Sequence, residues 1–295
     1  GGRMTIKFAK ATASDEGRSA VFAGNETRAA AEAYTARWFF RKRTLCIVGL
    51  VAGFLAINAL SGAYVDFDFM EAAADIPGGL AWMAVNFLPS AASLEKLPQI
   101  MPALLSTVLD SIAVSTTAAL LAYVVAVLGS RSVGLGGVAQ VLARGIASLF
   151  RNIPVVAWAF ILLFSFHQSE FTGFLALFLG SFGYLTRCFL ESIDEISSGT
   201  IEALRATGAS YLQVVAQGVI PLSVTSVVSW MLYMVETNIR DATLVGILTG
   251  TGIGFVFNLF YKSFRYDVAG LVILLIVVVV ICCESVSNYV RRRIL

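Results

Sequence analysis

The chain has 295 residues, and 58% of them are hydrophobic while only 14% are charged. Soluble domains carry about 25% charged residues, so this composition excludes an ordinary soluble enzyme and a nucleic-acid-binding domain. It predicts an all-α membrane protein with several spans, and the net charge of +2 tells less than the positions of the charges.

Side chains suited to metal binding or catalysis are scarce. The single histidine, His167, leaves little material for a metal site or a catalytic triad. The cysteines lie in or beside apolar stretches without metal-ligand spacing, and we expect them to fill space in the packing: Cys46, Cys188, Cys282 and Cys283. The sequence therefore predicts no catalytic residue, no metal site and no cofactor.

Long apolar stretches predict six transmembrane helices, because about 20 apolar residues cross a hydrocarbon core of about 30 Å. The predicted spans are residues 44–64, 102–128, 155–166 with the amphipathic segment 134–150 before it, 171–190, 214–239 and 268–289. Two segments are too short or too interrupted to cross. We expect an interfacial helix at residues 79–88 and a short re-entrant or surface helix on the outer side at the glycine-rich stretch 246–254.

Basic residues at both ends of the apolar region place the N and C termini in the cytoplasm. Arg37–Arg43 precedes the first span, and Arg291–Arg293 follows the last. The predicted organisation is a cytoplasmic tail at 1–43, a first span and external loop at 44–99, a transmembrane domain at 100–290 with an internal connection at 193–221, and a basic cytoplasmic tail at 291–295.

The third span is interrupted by the segment Arg151–Pro154. Proline removes a backbone donor and disfavours helix in the residue before it, so a kink is expected. Broken helices at membrane depth are tolerated only where they face protein or a watery cavity. Arg151 and Asn152 are therefore candidates for a translocation path, and the alternative is an arginine at the inner headgroup level.

Hydroxyl side chains share one face of the second span. Thr107, Ser111 and Ser115 recur every four residues. Such a face either holds helices together or lines a pathway, and we favour the packing role.

The internal connection carries a spaced pattern. The segment Glu202–Leu204 is followed after three residues by Gly208, and nine residues later by Gly218–Pro221. This resembles the EAA loop of ABC-importer permeases, whose pattern is EAA, three residues, G, nine residues, I-x-L-P. The matching positions are Glu202, Ala203, Gly208 and Pro221, and the departures are Leu204, Gly218 and Ile220.

The resemblance implies a short coupling helix that sits in a groove of a cytoplasmic ATP-binding subunit. Alanine and leucine favour such a helix, and a glycine can end it and turn the chain. The implied ATPase-coupling residues are Glu202, Ala203, Leu204, Arg205 and Gly208. The alternative is an ordinary amphipathic connector with accidental spacing.

Two further segments narrow the resemblance. Arg151–Val155 followed by Trp158, and Glu236–Thr243 leading into Gly250–Gly254, are similar to segments of the phosphonate-type (PhnE-like) permeases, with Thr251-Gly252 in place of a glycine pair. The resemblance covers roughly residues 100–290. It implies the fold of a type I ABC importer permease, which is MetI-like.

The family also implies partners and a function. Its members are multi-pass proteins of the bacterial inner membrane, in contact with lipid, that work as homodimers with two copies of an ATP-binding subunit and an extracytoplasmic substrate-binding protein. The implied function is import of phosphonate or a related phosphorus oxyanion, with ATP hydrolysed by the partner, so that the chain is not itself an enzyme. The alternatives are a permease for an amino acid or methionine, and a stand-alone secondary transporter or membrane enzyme.

Arginine is suited to such cargo because a guanidinium binds oxyanions bidentately. We expect Arg240 at the outer end of the fifth span and Arg151 at the break in the third. Together with their polar neighbours, the predicted translocation-path residues are Arg151, Asn152, Glu236, Asn238 and Arg240. Glu236 and Arg240 are four residues apart and can instead pair with each other. The glycines at 246–254 lack the lysine of a P-loop, so we expect them to serve close helix packing.

Overall fold

The computed structural model describes residues 38, 40–196 and 198–294, and the elements within those ranges are helices. In chain order they are α1 (Phe40–Val65), α2 (Phe69–Asn86), α3 (Ala91–Leu94), α4 (Leu97–Gly129), α5 (Gly137–Asn152), α6 (Val155–Phe166), α7 (Glu170–Ile196), α8 (Ser198–Ala206), α9 (Tyr211–Val214), a π-helix (Val215–Val219), α10 (Ile220–Thr249), α11 (Gly252–Lys262) and α12 (Tyr266–Ile294). The predicted all-α class is confirmed. The tail predicted at residues 1–43 lies outside the described residues except for its last few.

Five stretches of helix are long and apolar enough to cross a membrane. They are Phe40–Val65, Leu97–Gly129, Glu170–Glu195, Tyr211–Thr249 and Tyr266–Arg293. α5 and α6 pass the same test only as a pair, and they meet at 89°. The described chain therefore has six spans if the bent pair counts as one, and the predicted break after Asn152 is confirmed. The cytoplasmic position of both termini stays a prediction.

The described residues fall into two compact units, which divide between Gly79 and Leu80. In the first unit, α1 has a mean hydropathy of 2.1 in its most apolar window, and none of that window is buried. A helix that is apolar all round in this way is suited to direct contact with lipid.

α2 is longer than the interfacial helix predicted at residues 79–88 and begins at Phe69. The carboxylate of Asp68 accepts hydrogen bonds from the N–H groups of Met70 at 2.8 Å and Glu71 at 3.2 Å. Such a cap satisfies donors that the first turn of a helix leaves free. The prediction missed the start because the acidic residues of this segment were interpreted as loop.

The second unit is built around three helices in mutual contact, α4, α7 and α10. α4 contributes small buried side chains to this packing, and close approach of helices in a membrane depends on such residues. They are Ala118, Ala119, Ala122 and Ala126. α5 and α6 lie along α7, where glycines make room for them. A Cβ atom on Gly183 would lie 2.7 Å from the Cβ of Phe150, and one on Gly180 would lie 2.6 Å from Cγ2 of Val155.

The fifth span extends beyond its predicted end at residue 239. α10 runs on to Thr249, and Gly250, with φ +71°, ends it in the left-handed conformation. The charged residues near position 240 suggested a membrane boundary, but Arg240 pairs with Glu236 one turn earlier on the same helix, at 2.7 Å. An ion pair of this kind lets an apolar helix carry charges without ending.

The glycine cluster after α10 serves close packing, as predicted. A Cβ atom on Gly254 of α11 would lie 2.0 Å from the carbonyl oxygen of Thr243, and one on Gly246 would lie 2.4 Å from that of Thr251. The short helix predicted at residues 246–254 begins later, as α11 at Gly252, because residues 246–249 still belong to α10, and its place on the outer side stays a prediction. Its first turn is held by α4, because the N–H of Ile253 donates to Oγ1 of Thr107 at 2.9 Å.

The hydroxyl face of α4 is a packing face. Thr107, Ser111 and Ser115 are all buried, and each hydroxyl donates to the carbonyl oxygen one turn earlier at 2.7–2.9 Å. The packing role that the sequence favoured for these residues is confirmed.

Replacing Gly254 with valine should separate α11 from α10. The new side chain would clash with the backbone carbonyl of Thr243, which cannot move aside without distorting α10. Overpacking of this kind costs about 1–3 kcal/mol, and thermal unfolding of the purified protein in detergent measures it. Gly145→Val is the matched control, since Gly145 is also helical but a Cβ atom there meets nothing within 4 Å. An equal loss of stability in both variants would contradict the packing account.

Candidate docking helix and translocation path

α8 contains the segment predicted to couple to an ATPase, and it has one buried and one exposed side. Ile201 is buried and Leu204 is half-buried against the same apolar cluster, whereas Glu202, Ala203 and Arg205 are exposed. An amphipathic helix with this distribution is anchored to the membrane domain and presents its other side to the surroundings.

Gly208 turns the chain directly after α8, as predicted. It has φ +83°, its N–H donates to the carbonyl of Arg205 at 3.0 Å, and the N–H of Ala209 donates to that of Leu204 at 3.2 Å. Glycine is favoured here because the left-handed conformation is strained for residues with a Cβ atom.

Two of the three departures from the EAA pattern, Leu204 and Gly218, lie against each other. A Cβ atom on Gly218 would lie 2.9 Å from Cδ1 of Leu204. Gly218 belongs to the π-helix at the base of α10 and is itself buried. A larger side chain on α8 is therefore accommodated by the smallest residue on the span below it, so the two departures compensate in volume.

Arg205 is bound within the chain. Its Nη2 donates to the carbonyl oxygen of Ser132 at 3.1 Å, in the connection between α4 and α5. The sequence assigned Arg205 to the coupling surface, and the structure adds that it links α8 to that connection.

Arg151 and Asn152 lie at the bend, and the packing fixes their depth. A Cβ atom on Gly183 would lie 2.6 Å from the backbone nitrogen of Arg151. Gly183 is the middle residue of the 27-residue α7, so Arg151 is near half-depth of a helix that crosses the membrane. Its side chain is exposed. The path role of Arg151 and Asn152 stays a prediction.

Aromatic stacking braces the bend. The rings of Phe150 and Trp158 stack with centroids 5.4 Å apart, and Phe182 of α7 meets Phe150 edge-on at 5.8 Å. Nε1 of Trp158 also donates to the carbonyl of Phe150 at 3.4 Å. These contacts span the break itself, so the angle between the two halves is supported by side chains on both.

Asn238 is fully buried between α4, α7 and α10. Its Nδ2 donates to Oγ of Ser115 at 2.9 Å, and Oγ of Ser181 donates to its Oδ1 at 3.0 Å. The sequence predicted Asn238 as a path residue, but the structure places it inside the helix packing and not on an exposed side of the chain. Sequence reasoning had no signal for Ser181, because its partner is 57 residues away.

Glu236 and Arg240 flank this asparagine on α10. They form the ion pair that the sequence offered as an alternative, and the Arg240 side chain is 51% exposed against 13% for Glu236. Arg240 was predicted at the outer end of its span. It lies nine residues before the end of α10, because this helix continues to Thr249. Asn238, two residues before Arg240, bonds to Ser181 of α7, and the backbone of Arg151 packs at Gly183 of the same helix. Arg240 and Arg151 therefore lie at a similar level along α7.

An aromatic group that the sequence analysis missed lies nearby. Tyr184 of α7 and Trp230 and Tyr233 of α10 have ring centroids 6.0 Å apart in each pair. Tyr233 is seven residues before Arg240, and both are exposed, as is Leu244. Residues at this spacing lie on one side of a helix, so Tyr233, Arg240 and Leu244 form an exposed stripe along α10, called the open stripe below. The spacing was the signal in the sequence that could have identified it. Within the described residues, acidic, histidine and cysteine side chains form no group able to hold a metal ion.

Comparison with known proteins places the chain among membrane components of transport systems. A family model described as "Binding-protein-dependent transport system inner membrane component" matches residues 120–295. The chain is similar to the phosphate-import permease protein PhnE of Mycolicibacterium smegmatis, with 26% identity over 153 residues, 52% of this chain and 29% of that protein. It is also similar to the phosphite transport system permease protein PtxC of Stutzerimonas stutzeri, with 28% identity over 218 residues, 70% of this chain and 79% of that protein.

The chain thus spans less than a third of the length of the first of these relatives. Among solved structures, an inward-facing form of the MetNI methionine ABC transporter superposes with a TM-score of 0.60 at 18% identity, covering 70% of this chain and 99% of that one. This likeness shows a shared fold and confirms the predicted MetI-like architecture.

Leu204 and Gly218 should behave as a coupled pair. Leu204→Ala leaves a cavity and Gly218→Ile creates a clash, and each change should lower the stability of the protein by about 1–3 kcal/mol. The double variant restores the side-chain volume and should be closer to the wild type than either single variant. Thermal unfolding in detergent measures this, and simple addition of the two losses would contradict the compensation.

Replacing Asn238 with leucine should loosen the contact of α4, α7 and α10. The buried hydroxyl of Ser181 loses its partner, which costs about 1–3 kcal/mol. Asn258→Leu is the control, because the half-buried Asn258 side chain makes no hydrogen bond to any described residue. Unfolding in detergent should show a loss for Asn238→Leu alone, and equal stability of the two variants would show that the hydrogen bonds contribute little.

Proposed function

Because the chain belongs to the family of binding-protein-dependent transport system inner membrane components, we propose that it is the permease subunit of an ATP-driven importer of phosphonate or a related phosphorus oxyanion. The family predicted from the sequence is confirmed. The cargo proposal is supported by the relatives, of which one is named for phosphate import and another for phosphite transport.

The observation that carries the proposal is the position of Arg151. This arginine is near half-depth of a span, exposed, and in no ion pair with any residue that the structure describes. A charged arginine at the centre of a membrane costs about 2.5–3.5 kcal/mol even on the lower scales, so such residues face a protein interior or a watery cavity. An oxyanion in that cavity would give the guanidinium a bidentate partner.

Arg240 contributes less, because its charge is already offset by Glu236 at 2.7 Å. Arg151, which makes no ion pair with a described residue, would attract an anion without holding it firmly. Weak binding at this level suits a permease, since cargo must leave the site to complete transport. The external binding protein would supply the affinity.

The open stripe of α10 supports a second copy of the chain as a partner. Tyr233, Arg240 and Leu244 face outward from a single chain at membrane level. In a homodimer the two stripes would enclose the path, and polar side chains on them would meet water instead of lipid. The path would then contain Arg151 from each chain.

The exposed side of α8 is the proposed docking surface for a cytoplasmic ATP-binding subunit, with one subunit for each copy of the chain. Glu202 and Ala203 face outward there, while Ile201 and Leu204 anchor the helix. ATP would be hydrolysed on that partner, and movement of α8 would pass into the spans. An extracytoplasmic substrate-binding protein would deliver the cargo from the other side of the inner membrane.

The function is tested by reconstituting the chain with its ATP-binding subunit and binding protein in proteoliposomes. ATP hydrolysis should be stimulated when phosphonate, phosphite or phosphate is titrated with the binding protein, and not when methionine is. Stimulation by methionine alone would keep the transporter but overturn the cargo. Failure to assemble with an ATP-binding subunit would overturn the proposed function.

Arg151→Gln should lower the uptake rate at least tenfold in that system, because the anion loses its charged partner at mid-span; tenfold corresponds to about 1.4 kcal/mol in the barrier. Arg151→Lys keeps the charge without the planar guanidinium, so its uptake rate should lie between those of the wild type and of Arg151→Gln. Arg41→Gln, on the exposed surface of α1, is the control. Uptake by Arg151→Gln at the wild-type rate would show that Arg151 does not act on the cargo.

A further inference from the structure

The carboxylate of Asp194 lies near the inner end of α7. It binds two groups in the connection between α4 and α5, and one group on α5 itself. Its Oδ1 accepts from Oγ of Ser130 and from the backbone N–H of Arg131, both at 2.7 Å. Its Oδ2 accepts from Nη2 of Arg144 at 2.9 Å. The ion pair is mostly shielded, with side chains 28% and 21% exposed, so it is worth more than a surface pair.

The connection at residues 130–136 is held firmly by its own contacts. Ser130 and Val133 are fully buried. The N–H of Gly134 donates to the carbonyl of Ser130 at 2.9 Å, and a Cβ atom on Gly134 would lie 2.3 Å from that carbonyl oxygen. A connection packed this closely moves as one piece with the residues bound to it.

The docking helix α8 holds the same connection from the other side. Nη2 of Arg205 donates to the carbonyl of Ser132 at 3.1 Å, and Ile201 of α8 packs in the same buried cluster as Val133. A displacement of α8 therefore acts on the connection. Asp194 and Arg144 in turn tie that connection to α5, whose far end carries Arg151 at the bend.

We propose that Asp194 is a positioning residue that passes movement of α8 to α5 and so to the arginine at mid-span. The inference rests on the proposed function. It adds the contacts through which movement driven by ATP hydrolysis would be transmitted from α8 to the translocation path. The residues of this route, in order, are Arg205, Ser132, Ser130, Asp194 and Arg144.

The test compares Asp194→Asn with Arg205→Met in the reconstituted complex. Asparagine keeps an acceptor for Ser130 and Arg131 but removes the charge that holds Arg144, and methionine keeps an apolar stem but removes the bond to Ser132. Each variant should lower the number of cargo molecules taken up per ATP hydrolysed at least fivefold. The double variant should be no worse than the poorer single variant, because both changes interrupt one connection in series. Arg205→Lys should restore part of the ratio.

Glu195→Gln is the matched control. Glu195 is the next carboxylate on α7, is exposed, and has neither hydrogen bond nor ion pair in the described part of the chain, so its variant should keep the wild-type ratio. An unchanged ratio in Asp194→Asn would overturn the inference, and so would losses that multiply in the double variant. Failure of Asp194→Asn to assemble would show a role in folding alone and would overturn it too. Absence of ATP-driven uptake in the wild type would instead overturn the proposed function itself.

Discussion

Hydrocarbon offers no hydrogen bonds, so a polar side chain buried in a membrane domain must find its partners on neighbouring helices. The amide of Asn238 meets this requirement by joining Ser115 of α4 and Ser181 of α7 to α10. These two hydrogen bonds restrain the rotation and the relative height of the three helices. The same contact therefore sets which side of α10 is exposed, and it fixes the height of Arg240 relative to Gly183, where the broken span and Arg151 are packed.

Much of this arrangement could be predicted from the sequence, because the spans, the proline break and the short helix α8 with its turn at Gly208 follow from local patterns. The failures were of another kind. The end of α10 was misplaced because an ion pair within the helix neutralised the charges that marked a boundary. Asn238 was predicted to line the translocation path, but a sequence pattern does not show which way a side chain points, and this one is buried between helices. Asp194 gave no signal at all, since its partners are 50–64 residues away.

The pair Leu204 and Gly218 shows how departures from a family pattern can be interpreted. Taken one at a time, each weakens the match to the EAA loop. In the structure they touch, and the volume gained at one position is lost at the other. Two mismatches that compensate in three dimensions preserve the contact between α8 and the span beneath it, so they do not weaken the resemblance of this segment to the EAA loop.

The 89° bend between α5 and α6 bears on how the chain enters the membrane. Neither half is long enough to cross alone, and the first is amphipathic, with 16 residues that include Arg144 and Arg151. Insertion by the translocon responds to the hydrophobicity of a continuous segment. The two halves are instead held by α7, which offers Gly180, Gly183 and Asp194 as a surface to pack on. A place in the membrane for this span therefore depends on tertiary contacts as well as on its own hydrophobicity.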